Sequence, residues 1–197
     1  MASPTEGLLE KFGFILFHTR SEGLKLQIQG FIELIIVPQI PTVHSERISY
    51  FVFRHLVDRQ MMIYLSQPPE IIRMHESDFY LTSSIIVNLA RISLTHKIKK
   101  GQAEMLEDSE MIPTICQLFS SAPKYFKIEI IKLLSDFINF KVEIINEVIS
   151  DTDIIPLLIR TLRENIVKKN MLFSSVWAFI KRIEHKKSEK LYLDIIN

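Results

Sequence analysis

Glycine is scarce in this chain, which has five glycines among 197 residues and none after Gly101. The Asn-Gly and Asp-Gly pairs that close two-residue β-hairpins are absent. Since tight hairpins depend on such pairs, a fold built on β-sheets is not expected. The composition instead favours helices that are joined by short polar breaks.

Cysteine and long apolar runs are also rare. The single cysteine, Cys116, excludes an internal disulfide and fits a reducing compartment. The longest apolar runs, such as FIELIIV from Phe31, are far shorter than the roughly 20 residues that cross a bilayer. Glu6 and Glu10 stand where a secretory signal would carry positive charge. We therefore predict a soluble intracellular protein, cytoplasmic or nuclear, with no membrane partner.

The formal net charge of the chain is +1, so the chain as a whole has no strong electrostatic attraction to nucleic acid. The segment after Asn165 is nevertheless locally basic and includes Lys168, Lys169, Lys181 and Arg182. This segment supports an alternative hypothesis, a nucleic-acid-associated helical protein that uses its basic C-terminal face. We consider nucleic acid the less favoured partner, because lysines also suit helix C-termini and the polar cap of a repeat array.

Apolar residues recur at helical spacing along most of the chain. One stripe begins at Phe126 and ends at Phe137, and a second begins at Leu172 and ends at Ile183. Ser, Thr or Asp precedes several of these runs, as is typical of helix starts. The pattern predicts helices near 6–18, 22–36, 43–66, 78–95, 99–107, 110–120, 123–139, 141–149, 153–164, 167–184 and 187–195.

One helical phrase occurs twice. EMIPTICQLFSS begins at Glu110, and DIIPLLIRTLRE begins at Asp153, so that Pro113 and Pro156 are 43 residues apart. Each phrase precedes a longer apolar-periodic run, and an earlier long run, FYLTSSIIVNLARIS, supplies part of a third unit. A period of about 40 to 47 residues is typical of armadillo and HEAT arrays, in which neighbouring units must stack to bury their apolar faces.

The repeated unit resembles the armadillo repeat of importin-α and β-catenin. The phrases MIPTI and IIPLL are similar to the start of that repeat's second helix, and SSIIVNLA and SSVWAFI are similar to its third. The resemblance covers roughly 78–197 and implies an all-α fold, a right-handed α-solenoid. Residues 1–77 are predicted to be helices of a cap or a degenerate repeat, and the whole is predicted to form one continuous domain.

The resemblance also implies a binding surface. In importin-α-like proteins, a Trp and an Asn four residues later, on successive third helices, line a concave groove that holds an extended peptide. The corresponding pairs in this chain are Ser84 with Asn88, Lys132 with Asp136, and Trp177 with Lys181. Only Asn88 and Trp177 carry the family's residue, so the resemblance implies a peptide or protein groove without specifying its cargo.

Each of these side chains also has a structural interpretation. Asn88 lies on an apolar stripe, where an internal hydrogen bond is the favoured role. Trp177 has apolar neighbours, which favours a place in the core. Glu129, Lys132 and Asp136 have the spacing of a solvated helix face with weak ion pairs.

Signs of catalysis are weak. Cys116 falls on an apolar helical stripe, which predicts a buried structural thiol. The six histidines show no metal-binding spacing, and no glycine-rich phosphate loop occurs, so neither metal nor cofactor is expected. His75, Glu76 and Asp78 invite an acid-base assignment, but we interpret Ser77 and Asp78 as the cap of the next helix.

The sequence therefore predicts a non-catalytic adaptor or scaffold that binds a protein or peptide along the groove of an armadillo-like solenoid. Its oligomeric state, the identity of its partner and its pathway are left open.

Overall fold

The computed structural model describes residues 4–37, 50–53, 67–95, 111–139 and 149–186, and these residues are α-helical with short turns and no strand. The all-α class predicted from the sequence is confirmed for this part of the chain. The helices are α1 (Pro4–His18), α2 (Glu22–Ile36), α3 (Pro69–Met74), α4 (Glu76–Thr95), α5 (Met111–Phe119), α6 (Lys124–Asn139), α7 (Ile154–Asn165) and α8 (Met171–Lys186).

Most predicted helix bounds agree with the observed ones to within two residues. Both bounds of α2 and the last residue of α1 coincide with their predictions. The short helix α3 was not predicted, although Pro69 at its first position is a usual helix-start residue. The predicted helices 43–66, 99–107, 141–149 and 187–195 lie wholly or largely outside the described residues.

The chain divides into two compact units, Met1–Met105 and Leu106–Asn197. In the first unit, α2 contacts both α1 and α4, and α3 contacts α4. Ile28, Ile32 and Ile36 form the buried stripe of α2, and Phe79 and Ile86 are among the buried residues of α4. The predicted boundary near residue 78 and the cap role of residues 1–77 stay predictions.

In the second unit, helices contact their counterparts in the sequence repeat. The two helices that carry Ile-Pro, α5 and α7, contact each other, and so do the two long helices, α6 and α8. Pro113 and Pro156 are each the third residue of their helix, where a missing N–H removes no helical hydrogen bond. Each short helix also contacts the long helix that follows it.

The core of the second unit is formed by one apolar face from each helix. Ile115 and Phe119 are buried on α5, and Ile155 and Leu158 are buried on α7. The predicted stripes of α6 and α8 are buried as well, except for Ile180, which is half-buried. Burial of these faces against each other is the main source of stability for helices of 9 to 16 residues, which are marginal in isolation.

The start of α8 differs from its prediction. Residues 166–169 form a turn, and α8 begins at Met171 instead of near residue 167. Lys169 has a φ of 43°, which is in the left-handed region. Asn170 caps α8, because its Oδ1 accepts a hydrogen bond from Phe173 N at 3.0 Å.

No helix within the described residues is long and apolar enough to cross a membrane.

Candidate functional site

The long helices α6 and α8 each present a stripe of exposed and half-buried side chains beside their buried face. On α6 this stripe includes the half-buried Asp136 and the exposed Lys132, and on α8 it includes the exposed Trp177 and Lys181. We call these four residues the candidate face. Since α6 and α8 contact each other, all four belong to one packed pair of helices.

The register of this helix pair is marked by one hydrogen bond. Arg182 Nη1 donates to the backbone oxygen of Ser135 at 3.4 Å. Each of these residues is eleven positions after the first residue of its 16-residue helix. This contact therefore joins equivalent positions of the two helices.

Trp177 lies on the surface with 47% of its area exposed, so the expectation of a core tryptophan was wrong. The buried stripe of α8 contains Val176, Phe179 and Ile183, and a side chain one residue after Val176 is rotated by about 100° from it. Phe173 is half-buried beside this stripe. Apolar neighbours in sequence thus did not place Trp177 in the core.

Trp177 and Lys181 contact each other directly. Lys181 Nζ lies 5.3 Å from the centroid of the Trp177 ring, within the range of a cation–π interaction. The same ammonium group is 2.7 Å from Glu184 Oε2. The result is an exposed aromatic ring with a positive charge over its face, and Glu184 partly balances that charge.

Lys132 is exposed, and its Nζ is 2.7 Å from Glu129 Oε1 one turn away. The predicted solvated face with an ion pair is therefore confirmed for this part of α6. Such exposed pairs contribute about 0–1 kcal/mol to folding, so Lys132 is available to a partner at small cost.

Asn88 and Ser84 lie on α4 in the first unit, whereas the other four predicted residues belong to the second. Asn88 Nδ2 donates to Glu33 Oε1 at 2.8 Å, and Gln29 Nε2 donates to the same oxygen at 2.6 Å. The favoured internal role of Asn88 is confirmed, because its amide connects α4 to α2. Ser84 is half-buried one turn earlier.

A buried lysine is absent from the predictions made from the sequence. Lys25 has no exposed area, and its Nζ donates to Asp78 Oδ1 at 2.6 Å and to Thr82 Oγ1 at 2.5 Å. Its spacing of three residues before Ile28, on the apolar stripe of α2, could have revealed it. Asp78 lies inside the first turn of α4, so the interpretation of Ser77 and Asp78 as its cap was wrong.

Cys116 is buried on α5, as predicted. Burial raises the pKa of its thiol to about 12, although a hydrogen bond with Thr152 acts in the opposite direction. The thiol is therefore protonated at neutral pH and is a poor nucleophile. Among the described residues, no three His, Cys, Asp or Glu side chains are placed to hold a metal ion.

Two cavities lie within the separate units. One, of about 380 Å³, is lined by Cys116, Gln117, Asp151 and Thr152 of the second unit, among others. The other, of about 300 Å³, adjoins His18, Arg20, His75 and Asp78 of the first unit. Neither holds a member of the candidate face.

Large apolar side chains are exposed at places that periodicity did not single out. In the first unit, Phe14, Phe31 and Leu34 are exposed. In the second unit, Val167 and Met171 are exposed beside the α7–α8 turn. Their spacing in the sequence does not distinguish these residues from core residues. Only the packing of the folded chain shows that they are exposed.

Comparison of the chain with models of protein families, with curated proteins and with solved structures finds no match. The armadillo resemblance therefore depends on the sequence pattern alone, and the packing of the helices is compatible with a helical repeat.

Proposed function

We propose that this chain is a non-catalytic adaptor of armadillo-like architecture that binds an extended peptide or protein segment along its long helices. The observation that carries the proposal is the exposed Trp177 on α8 with Lys181 over its ring. Tryptophan is enriched among the residues that dominate protein interfaces, and a half-exposed ring on a rigid helix is pre-ordered for contact.

The packing of the second unit supports the solenoid part of the proposal. Contact of α5 with α7 and of α6 with α8 is the arrangement of stacked two-layer repeats. Such an array presents the same face of each long helix along one side. In this proposal, Lys132 and Asp136 of α6 are the second contact position beside Trp177 and Lys181 of α8.

Two further features support a binding role in place of catalysis. The thiol of Cys116, with a pKa raised to about 12, is unsuited to nucleophilic attack at neutral pH. The candidate face combines one aromatic ring with ion-paired side chains, which is typical of an interface rim. Because the only cysteine is a buried free thiol, we place the adaptor inside the cell, in cytoplasm or nucleus.

The nucleic-acid alternative fits the described part of the chain less well. Lys181 already pairs with Glu184, and Lys132 with Glu129, which lowers the net positive charge of the long helices. A nucleic-acid ligand would release counterions, and its affinity would fall steeply with salt, whereas contact with an aromatic ring depends weakly on salt.

The test is a selection of peptides from a displayed random library on the folded full chain. The proposal expects enrichment of a shared motif whose affinity falls severalfold or more in Lys132→Glu with Lys181→Glu, since charge reversal adds repulsion to the loss of attraction. Circular dichroism and the melting temperature should change little, because surface pairs contribute under about 1 kcal/mol each.

The matched control is Lys11→Glu with Arg160→Glu. Arg160, like Lys132, is an exposed cation close to a glutamate one turn away, at 2.9 Å, but it lies on α7. Lys11 is an exposed cation of α1. Equal loss of peptide affinity in the control pair, or failure of any motif to enrich, would contradict the proposal.

A further inference from the structure

The turn between α7 and α8 projects apolar side chains into solvent beside two lysines. Ile166 is 55% exposed, Val167 is 90% exposed and Met171 is 71% exposed, and Lys168 and Lys169 lie between them, also exposed. We call these five residues the apolar tip. Neither lysine belongs to an ion pair within the described part of the chain, so the tip carries a local positive charge although the net charge of the chain is close to zero.

From this arrangement we infer that the apolar tip docks on the surface of a membrane that contains anionic lipids. A protruding group of apolar side chains flanked by lysines fits such a surface, since the apolar groups enter the headgroup boundary while the ammonium groups meet lipid phosphates or carboxylates. The inference concerns peripheral contact, for which no membrane-spanning helix is needed. It departs from the sequence-based prediction of no membrane partner, and it is independent of the peptide-binding proposal.

Internal hydrogen bonds hold the backbone of the turn. Lys168 N and Lys169 N both donate to Asn165 O at 3.1 Å, and Ile166 N donates to Arg163 O at 3.5 Å. The side chain of Asn165 stiffens the turn further, because its Oδ1 accepts from Asn170 Nδ2 at 2.9 Å.

The conformation of Lys169 supports a role for its charge. Its φ of 43° would be adopted more cheaply by glycine or asparagine than by a lysine, whose Cβ clashes in the left-handed region. Strained backbone positions cluster at functional sites, so the strain at Lys169 fits a functional role for this lysine. The substitution Lys169→Asn therefore separates stability from binding.

A nucleic-acid ligand fits less well, because Ile166, Val167 and Met171 would face a polyanion.

The experiment is co-sedimentation of the full chain with vesicles of phosphatidylcholine mixed with phosphatidylserine, against vesicles of phosphatidylcholine alone. The wild type should bind the mixed vesicles and bind the neutral ones at least several times more weakly. Lys169→Asn should weaken binding about fivefold and Lys168→Glu with Lys169→Glu about 25-fold or more, since one lysine near an anionic surface changes the binding constant about fivefold. Ile166→Ser with Val167→Ser should weaken it about tenfold or more.

Two control pairs match these changes elsewhere in the chain. Leu26→Ser with Leu34→Ser removes two exposed apolar side chains of α2, and Lys11→Glu with Arg20→Glu reverses two exposed cations of the first unit. Both should bind mixed vesicles like the wild type. Melting temperatures confirm that each variant is folded, and Lys169→Asn should melt no lower than the wild type.

The inference is overturned if the wild type does not bind mixed vesicles, or if the control pairs lose binding as strongly as the tip variants. It is also overturned if the tip variants abolish only self-association, measured by sedimentation velocity without lipid, or only binding to a DNA duplex.

Discussion

Lys181 Nζ lies 5.3 Å from the ring centroid of Trp177 and 2.7 Å from Glu184 Oε2, so one ammonium group contacts both an aromatic ring and a carboxylate on the surface of α8. Trp177 is the only tryptophan of the chain, and its fluorescence reports on this contact without a label.

Removal of the ammonium group should uncover the indole ring. We predict that Lys181→Ala increases the quenching of Trp177 fluorescence by acrylamide and lowers the free energy of unfolding by about 1 kcal/mol or less, as expected of an exposed cation–π contact. Glu184→Ala is the control, because it removes the carboxylate and leaves Lys181 over the ring. Quenching that is equal in both variants would mean that the lysine does not cover Trp177.

The contact between the two Ile-Pro helices should depend on Leu158, which is buried on α7. Leu158→Ala is expected to lower the free energy of unfolding by about 2–5 kcal/mol, because it leaves a cavity in a packed core. Arg160→Ala on the exposed side of the same helix should change it by about 0.5 kcal/mol or less. If Leu158→Ala lowered the free energy of unfolding by less than about 0.5 kcal/mol in denaturant melts, α7 would not be part of the core.

The buried pair of Lys25 and Asp78 should respond unequally to the loss of either partner. Lys25 has no exposed area, whereas the side chain of Asp78 is 35% exposed. Asp78→Ala should cost about 3 kcal/mol, since it leaves a buried ammonium group without its carboxylate. Lys25→Met should cost clearly less, because water still reaches Asp78.

Denaturant melts of the two single variants measure this asymmetry, and the double variant adds the coupling energy of the pair. If Lys25→Met were the more destabilising change, the result would contradict the assignment of Lys25 as the more deeply buried partner.

Alkaline pH should weaken the fold through Cys116. The pKa of this thiol is raised to about 12 in the folded chain from an ordinary value of 9.0. As pH rises, the thiol of the unfolded chain loses its proton before the thiol of the folded chain does. The stability that this group contributes is therefore fully present below about pH 9 and is lost as pH rises from about 9 to about 12.

The difference between the wild type and Cys116→Ala isolates this effect, because other groups that titrate in the same range, such as Lys127, cancel. The stability gap between the two proteins should shift in favour of Cys116→Ala as pH rises from about 9 towards about 11. If the stability difference between the two proteins stayed constant over that range, the buried thiol would not contribute to the loss of stability at alkaline pH.

Helical periodicity predicted most of the described fold, because apolar stripes at i, i+3 and i+4 must be buried whatever the partner. It predicted the buried face of α8 through Val176, Phe179 and Ile183 but failed for Trp177, which lies just beyond the edge of that stripe. A pattern along one helix cannot show how wide the buried face becomes once another helix packs on it.

Polar interactions between helices were the hardest to predict. The bond from Lys25 to Asp78 joins residues 53 positions apart, and the bond from Asn88 to Glu33 joins residues 55 apart. No local spacing connects such residues. The turn at Lys169 was missed for a different reason, since lysine is a rare residue for a left-handed backbone and the run before Asn170 has the composition of a helix.

The most direct test of the peptide-binding account is a titration of the full chain with a peptide selected on it, followed through the fluorescence of Trp177 and through calorimetry on the same samples. The account predicts that saturation shifts the emission to shorter wavelength and reduces acrylamide quenching, because the ring that is 47% exposed becomes covered. A peptide that binds by calorimetry while the emission and quenching of Trp177 stay unchanged would contradict the account and would place the binding surface elsewhere in the chain.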